Sequence, residues 1–327
     1  MSGRRLSLDE KRHVLGLFLR QIVVGKEDMG IELFRLPILE RAADSRHTLK
    51  GVAMRISRCG SRRGGHFLFM ARLRLLTFNI AHGRGASLIH QSLRGAEALR
   101  ANLRRIATLI TRLRVDIVAF QEIDENSRWA GSFDHLAYLQ VHTGLTHAVH
   151  GVINRRAGRF HLSYGNGLLS RFPIAHHETV PFGLNTVGGK GFLFAEVDTP
   201  AGRLPLVNIH LHPSSRYRRL QQVAHLIRHL GDLGRERSAQ WFMPPMVCGD
   251  FNTPSHLPDA TATLLGWFEQ TNNYTLLPKT GHTFPSAWPS RALDYVFLPE
   301  QCRAPRAKIV RSLLSDHQPV LVEFGLG

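Results

Sequence analysis

Short apolar runs with the length of β-strands recur along residues 70–327, and polar side chains follow where these runs end. The polar groups are Phe78-Asn79, Gln121-Glu122, Asn208-Ile209-His210, Gly249-Asp250-Phe251-Asn252, Leu293-Asp294-Tyr295 and Ser315-Asp316-His317. Any one of them alone indicates only a turn, because turns favour Asn, Asp and Gly for local reasons. Six of them in one chain indicate a sheet protein whose strand ends carry chemistry.

Helical patterns separate some of these runs. Apolar residues at 103, 106, 110 and 113 have helical spacing and precede the strand-like run 115–120. A second stripe at 220, 223, 226 and 230 precedes the run 246–248. Strand-like runs at 167–170, 192–197 and 204–210 have no helical pattern between them. This mixture predicts sheets that are covered by helices.

The first 69 residues differ from the rest. Residues 55–65 are rich in Arg, Gly and Ser and contain almost no apolar side chains, which is typical of a solvated linker. Met70 then leads directly into an apolar run at 73–78. We predict that either Met70 is the functional start or residues 1–69 are a poorly structured basic extension that is dispensable for function, and that residues 70–327 form the functional domain.

The chain is basic, since 42 Lys and Arg residues against 25 Asp and Glu residues give a net charge of +17. Residues 70–327 carry +10 of it. Positive charge favours phosphate-bearing partners, because Lys and Arg displace counterions from polyanions. The excess of 36 Arg over 6 Lys is equally typical of an Arg-rich genome, so charge alone leaves both interpretations open.

Cysteine usage and hydropathy bear on the compartment. Cys59, Cys248 and Cys302 are too few and too scattered for a disulfide framework or a zinc site, which favours a reducing compartment. The apolar stretch 15–24 is interrupted by Arg20 and Gln21 and is shorter than the ~20 residues of a membrane span. We therefore expect a cytoplasmic protein without stable membrane insertion.

The polar groups combine carboxylates, Asn side chains and His side chains, without a thiolate. Carboxylate and amide oxygens are hard ligands that suit Mg²⁺, and His carries protons near neutral pH. Such a set suits metal-assisted attack of water on a phosphate ester. Asp250 and Asn252 are two residues apart and point to one side of an extended segment, whereas Asp316 and His317 are adjacent and point to opposite sides.

The six groups, in this order, resemble the motifs of the endonuclease/exonuclease/phosphatase superfamily, which includes deoxyribonuclease I, exonuclease III, neutral sphingomyelinases and inositol polyphosphate 5-phosphatases. The match runs from Asn79 to His317. The resemblance implies an α/β (α+β) fold: a four-layer sandwich of two packed, mostly antiparallel sheets flanked by helices. Residues 70–327 would then be one domain.

The resemblance also implies a Mg²⁺ site, with Mn²⁺ as a substitute. Glu122 resembles the principal metal ligand of the family. Asn79 resembles a ligand or holder beside it. Asp316 resembles an outer or second metal ligand.

Five further residues resemble the family's catalytic side chains. Asp250 matches the residue that orients or deprotonates the attacking water, and Asn252 its neighbour on a phosphate oxygen. His210 and His317 match the pair that flanks the phosphate. Asp294 matches the carboxylate that orients and charges a catalytic His, a pairing that raises the pKa of that His. The general base differs between family members, so its assignment stays open.

Two elements allow both a functional and a structural interpretation. Lys190 lies in Gly189-Lys190-Gly191-Phe192, where it either supplies charge to the site or is solvated at a glycine turn. Asn166 either reaches the site or holds a turn. Among the remaining histidines, His212 and then His82 are the best placed to reach the site.

The segment Asn208-Ile209-His210-Leu211 narrows the choice of substrate class. Its resemblance favours the deoxyribonuclease and sphingomyelinase members of the family over the abasic-site repair enzymes. We expect a monomeric phosphodiesterase that acts on nucleic acid, with no obligate protein partner. The alternatives are hydrolysis of a phospholipid, sphingomyelin or a small phosphorylated molecule, and a phosphate-binding module without turnover. Loss of Glu122, Asp250 or His317 would indicate the phosphate-binding module, and all three residues are present.

Overall fold

The computed structural model describes residues 72–87, 89–183, 188–271 and 273–326. The extension predicted for residues 1–69 lies outside these residues. In chain order the strands are β1 (Arg72–Asn79), β2 (Ile117–Asp124), β3 (His147–Arg156), β4 (Leu162–Ser170), β5 (Ile174–Pro181), β6 (Gly191–Thr199), β7 (Gly202–His210), β8 (Met246–Asp250), β9 (Tyr274–Leu277), β10 (Asp294–Pro299), β11 (Cys302–Ile309) and β12 (Val320–Leu326).

These strands form two mixed sheets of six strands each. The first has the order β11-β12-β1-β2-β4-β3, and the second has the order β5-β6-β7-β8-β10-β9. Within the described residues, the parallel pairs are β1 with β2 and β7 with β8, and the other pairings are antiparallel. The prediction of mostly antiparallel sheets is confirmed.

The α-helices of the described part are α1 (Ala96–Arg112), α2 (His135–Thr143), α3 (Arg216–Arg237) and α4 (Ala260–Thr271). Short 3-10 turns lie at Ala81–Gly83, Gln91–Leu93, Arg128–Ala130 and Ser238–Gln240. Both predicted apolar stripes lie on helices, on α1 and α3. The side chains of Asp134 and Ser215 accept hydrogen bonds from the first turns of α2 and α3, which satisfies amides that lack helical partners. No helix in these residues is long and apolar enough to cross a membrane.

Three apolar clusters separate four layers. The central cluster joins the facing sides of the two sheets and includes Leu75 and Leu193. One outer cluster packs α1 and α2 on the first sheet and includes Ile106 and Phe78. The other packs α3 and α4 on the second sheet and includes Leu226 and Phe194. The inner strands of both sheets are therefore buried on both faces, which confirms the predicted sandwich and explains their nearly continuous apolar runs.

Candidate active site

The strand ends of both sheets bring polar side chains together around Asp250. The parallel pairs β1–β2 and β7–β8 each present their carboxyl ends at one edge. The strand register places His210 and Asp294 opposite Asp250, from β7 and β10 respectively. Asn79 ends β1, and its Nδ2 donates a 3.0 Å hydrogen bond to Asp250 Oδ2. This bond joins the two sheets at the site.

The turn after β8 fixes the Asp250 carboxylate. Gly249 has φ +142°, and a Cβ there would lie 1.9 Å from the Ile209 carbonyl oxygen, so only glycine allows this approach of β7 to β8. Asn252 has φ +54°, which Asn tolerates better than most residues. Its backbone N–H donates 2.9 Å to Asp250 Oδ1, and its Nδ2 donates 2.9 Å to the Leu211 carbonyl. Asn252 therefore orients Asp250.

Asp250 is buried between two histidines. Its Oδ2 lies 3.4 Å from His210 Nε2 and 3.7 Å from His317 Nε2. Burial raises the pKa of Asp250 to about 7; His317 acts against this rise, and the nearby charge of Asp294 adds to it. A carboxyl with such a pKa can accept and release a proton near neutral pH.

His317 forms a buried pair with Asp294. Its Nδ1 lies 2.9 Å from Asp294 Oδ2, while the Asp294 Oδ1 atom is buried without a partner in the described structure. Burial acts to lower the pKa of His317, but Asp294 and Asp250 outweigh it and raise the pKa to about 10. His317 is therefore an imidazolium at neutral pH, with its Nε2–H directed at the Asp250 side of the site.

Glu122 lies at a bulge in β2. The register with β4 shifts between Gln121 and Ile123, and Glu122 has φ +52°. Lys190 Nζ lies 3.4 Å from Glu122 Oε1. Burial acts to raise the pKa of Glu122, but Lys190 and then His82 hold it well below its usual range. The Glu122 carboxylate is therefore anionic and a quarter exposed.

Lys190 also contacts His210, with its Nζ 2.9 Å from His210 Nε2. Burial and then the Lys190 charge hold the pKa of His210 well below its usual range, so this imidazole is neutral. Lys190 is 14% exposed. The structure thus supports the site interpretation of Lys190 over the solvated-turn interpretation.

His82 lies near two carboxylates, a contact that its local sequence does not indicate. It lies in the 3-10 turn directly after β1, with φ +55°. Its Nδ1 lies 2.7 Å from Asp124 Oδ2, and its Nε2 lies 3.8 Å from Glu122 Oε2. Asp124 also accepts a 3.0 Å hydrogen bond from Trp129 Nε1. The only sequence signal for this group is the position of His82 three residues after Asn79.

Asp316 occupies a different environment from its neighbour His317. Its carboxylate pairs with Arg84, which follows the same 3-10 turn as His82, and it accepts a 3.3 Å hydrogen bond from Ser315 Oγ. The two adjacent side chains therefore take different partners, as their alternation predicts. The Arg84 pairing has no signal in the sequence.

Three other polar residues near the site serve the scaffold. Asn166 Nδ2 donates to the carbonyls of Gly191 and Asn208, so it links the sheets. Asn208 Nδ2 donates to Phe120 and Gly167 across the sheets. His212 Nδ1 accepts from the amides of residues 214 and 215, just before α3. The contacts of Asn166 support its structural interpretation over a role in the site.

A family model described as the endonuclease/exonuclease/phosphatase family matches residues 76–317, which include every polar group described above. The chain belongs to this family. Its members are hydrolases that act on phosphate esters. The sequence resemblance is therefore confirmed.

Relatives of this endonuclease/exonuclease/phosphatase protein include the uncharacterized protein YbhP of Escherichia coli K12, which is 28% identical over 174 residues. That match spans 50% of this chain and 63% of YbhP, so the chain spans less than two thirds of this curated relative. Among solved structures, a family protein of Beutenbergia cavernae superimposes with TM-score 0.60 at 20% identity, over 78% of this chain and 72% of that one. A Bacteroides vulgatus family protein gives 0.58 at 18% identity, over 79% and 100%. These similarities establish the fold.

The oxygen donors of the site fit a divalent metal ion. Glu122 is anionic and partly exposed, and its neighbours lie 3.4 to 3.9 Å away, at the long end of ion-pair distances. Asp250, Asp294 and His317 also place ligand atoms within 4.8 Å of one another. Within that cluster, His317 Nδ1 and Asp294 Oδ2 already lie at hydrogen-bond distance, 2.9 Å apart.

Proposed function

We propose that this chain is a Mg²⁺-dependent phosphodiesterase that cleaves nucleic-acid phosphodiesters by attack of water. The observation that carries the proposal is the environment of Asp250. This buried carboxyl has its pKa raised to about 7 and contacts both His210 and His317. It can take the proton of an attacking water molecule, and Asn79 and Asn252 hold it in position for this step.

The proposed metal ligands are Glu122 and Asn79, with Asp316 as the outer ligand. Glu122 supplies the anionic oxygen. Asn79 Oδ1 accepts a 3.0 Å hydrogen bond from the Ala81 amide, which fixes the orientation of the side chain. A bound Mg²⁺ or Mn²⁺ would neutralise charge on a phosphate oxygen and on the leaving oxygen.

The cationic side chains of the site hold the phosphate. His317 is charged because of Asp294, and it can donate a hydrogen bond to a non-bridging oxygen. Lys190 brings a second positive charge beside Glu122 and His210. Neutral His210 can accept or donate a hydrogen bond according to its tautomer, and it completes the polar wall around the scissile phosphate.

The preference for nucleic acid is supported by the net charge of +10 over residues 70–327. A solved structure similar to this chain is the mannosyl-6-phosphatase Bt3783 of Bacteroides thetaiotaomicron, with TM-score 0.56 at 14% identity over 77% of this chain and 99% of that one. At this identity the similarity concerns the fold, so a small phosphate monoester belongs in the substrate test.

The test incubates the full chain with Mg²⁺ and duplex DNA, single-stranded DNA, RNA, phosphoinositides, sphingomyelin and a sugar phosphate, and follows product formation over time. We expect cleavage of nucleic acid in the wild type and none in H317A. Cleavage of a lipid or sugar phosphate alone would replace the proposed substrate class. Binding of phosphate without any turnover would favour the binding module.

A further inference from the structure

A cleft of about 760 Å³ lies between the face of α3 and the ends of β5 and β6. Its lining includes Phe182, Lys190, His212, Arg218, His225 and Arg228. Lys190 also lines the small pocket that holds Glu122 and His210. The cleft therefore adjoins the candidate active site at Lys190.

Helix α3 turns one face toward this cleft. Arg218, Gln221, His225 and Arg228 follow the 3, 4, 3 spacing of one helical face. The opposite stripe, which includes Val223 and Leu226, is buried against the second sheet. The packing of α3 therefore fixes the direction in which both arginines project.

The two arginines give the cleft positive charge. Among its described lining residues there is no carboxylate. Arg218 Nη1 lies 3.2 Å from His212 Nε2, and Arg228 pairs with no carboxylate in the described part of the chain. By contrast, Arg219 on the same helix is bound to Asp259. Arg219 therefore has a structural role, unlike the two arginines that line the cleft.

The chemistry of the cleft suits a nucleotide better than a bare phosphate. Phe182 lies beside His225, with ring centroids 5.7 Å apart, and both rings line the cleft. Grooves that bind single-stranded nucleic acid combine positive charge along the backbone with aromatic side chains on which bases stack. Arginine also holds phosphate oxygens in a bidentate manner that few other side chains match.

We propose that this cleft binds the nucleic-acid strand next to the scissile phosphate, with flanking phosphates on Arg218 and Arg228 and a base against Phe182. The inference rests on the proposed function, since it states where the strand of the same substrate runs beyond the scissile phosphate. Lys190 connects the two regions, because it lines both the catalytic pocket and the cleft.

Binding is measured by fluorescence anisotropy with the full chain, in EDTA, using a labelled single-stranded oligonucleotide of about ten residues. The variants are R218Q and R228Q. R105Q is the matched control, because Arg105 is exposed on α1 and does not line the cleft. We expect R218Q and R228Q each to weaken binding roughly tenfold at low salt, and to reduce the slope of log affinity against log salt by about 0.7 for each phosphate that the variant no longer binds. R105Q should bind like the wild type.

Several results would overturn the proposal: no binding by the wild type, unchanged binding in R218Q and R228Q, or an equal loss in R105Q. Displacement of the oligonucleotide by inorganic tripolyphosphate at equal phosphate concentration would replace nucleic acid with a small polyphosphate as the occupant. Turnover is measured separately, as hydrolysis of bis(p-nitrophenyl) phosphate by the wild type with Mg²⁺. Its absence would contradict the proposed function while the anisotropy result still decides the cleft.

Discussion

The Nδ1 atom of His317 lies 2.9 Å from the Asp294 carboxylate, and both side chains are almost fully buried. The strand register brings Asp294 opposite Asp250, so the same histidine faces a second carboxylate through its Nε2. The protonation state of His317 therefore affects both the stability of the fold and the proposed chemistry.

Stability should depend on pH through His317. Its pKa is raised from 6.5 to about 10 in the folded chain, so its stabilising contribution is fully present below pH 6.5 and is lost as the pH rises through 10. We expect the difference in unfolding free energy between wild type and H317Q to shrink steadily between pH 7 and pH 10. Urea unfolding at a series of pH values measures this difference, and a constant value would contradict the assignment.

Lys190 should contribute to the chemical step. Replacing it in K190M removes the charge beside Glu122 and His210, and we expect kcat to fall about 100-fold on the preferred substrate. K190R keeps the charge and should retain more activity than K190M. K279M is the control, because Lys279 is exposed. Steady-state kinetics of the three variants test this, and wild-type kcat in K190M would exclude Lys190 from the site.

Metal binding should depend on Glu122. We expect the wild type to lose activity in excess EDTA and to regain it with Mg²⁺ or Mn²⁺. E122Q should bind Mg²⁺ more weakly in calorimetric titration, because the amide removes the anionic ligand. E125Q is the control, since Glu125 binds Ser163 and Arg155 instead. Full activity after exhaustive dialysis against EDTA would refute a metal-dependent mechanism.

Deletion of residues 1–69 should preserve the enzyme. The strand β1 begins at Arg72, and the family match begins at residue 76, so both lie after the deleted segment. We expect the truncated chain to be soluble and to retain wild-type kcat/KM. Loss of soluble expression would show that the segment is required, whereas a raised KM alone would assign it to substrate binding.

Much of the fold could be predicted from the sequence, because apolar runs and helical stripes follow directly from burial on both faces of each sheet. The strand-end residues Asn79, His210 and Asp250 could be predicted because they belong to the ordered polar groups that resemble the family motifs. Contacts that depend on the packing of distant elements could not be predicted from the sequence. Lys190 reaches His210 only because β6 pairs with β7, and its local sequence is a plain glycine turn.

Two other features depend on backbone detail that no residue pattern encodes. Glu122 sits at a bulge with positive φ, although the sequence around it is that of an ordinary buried strand. Asp316 is paired with Arg84, which is 232 residues away in the chain. Arg84 follows β1 and Asp316 precedes β12, so their pairing depends on the antiparallel alignment of these two strands.

Asn208 should matter for stability rather than for chemistry. It is fully buried, its Nδ2 donates to the carbonyls of Phe120 and Gly167, and its Oδ1 accepts a 2.6 Å hydrogen bond from Gln121 Nε2. N208A removes three buried hydrogen bonds, so we expect a loss of about 3 kcal/mol in the free energy of unfolding.

The matched control for this prediction is N273A. Asn273 is exposed and its Nδ2 donates to Glu300, so its replacement should change stability by less than about 0.5 kcal/mol. Well below its melting temperature, N208A should keep kcat within a few-fold of the wild type, because no contact described for Asn208 involves Asp250 or either active-site histidine. A large loss of kcat in a stably folded N208A would instead place Asn208 in the chemistry.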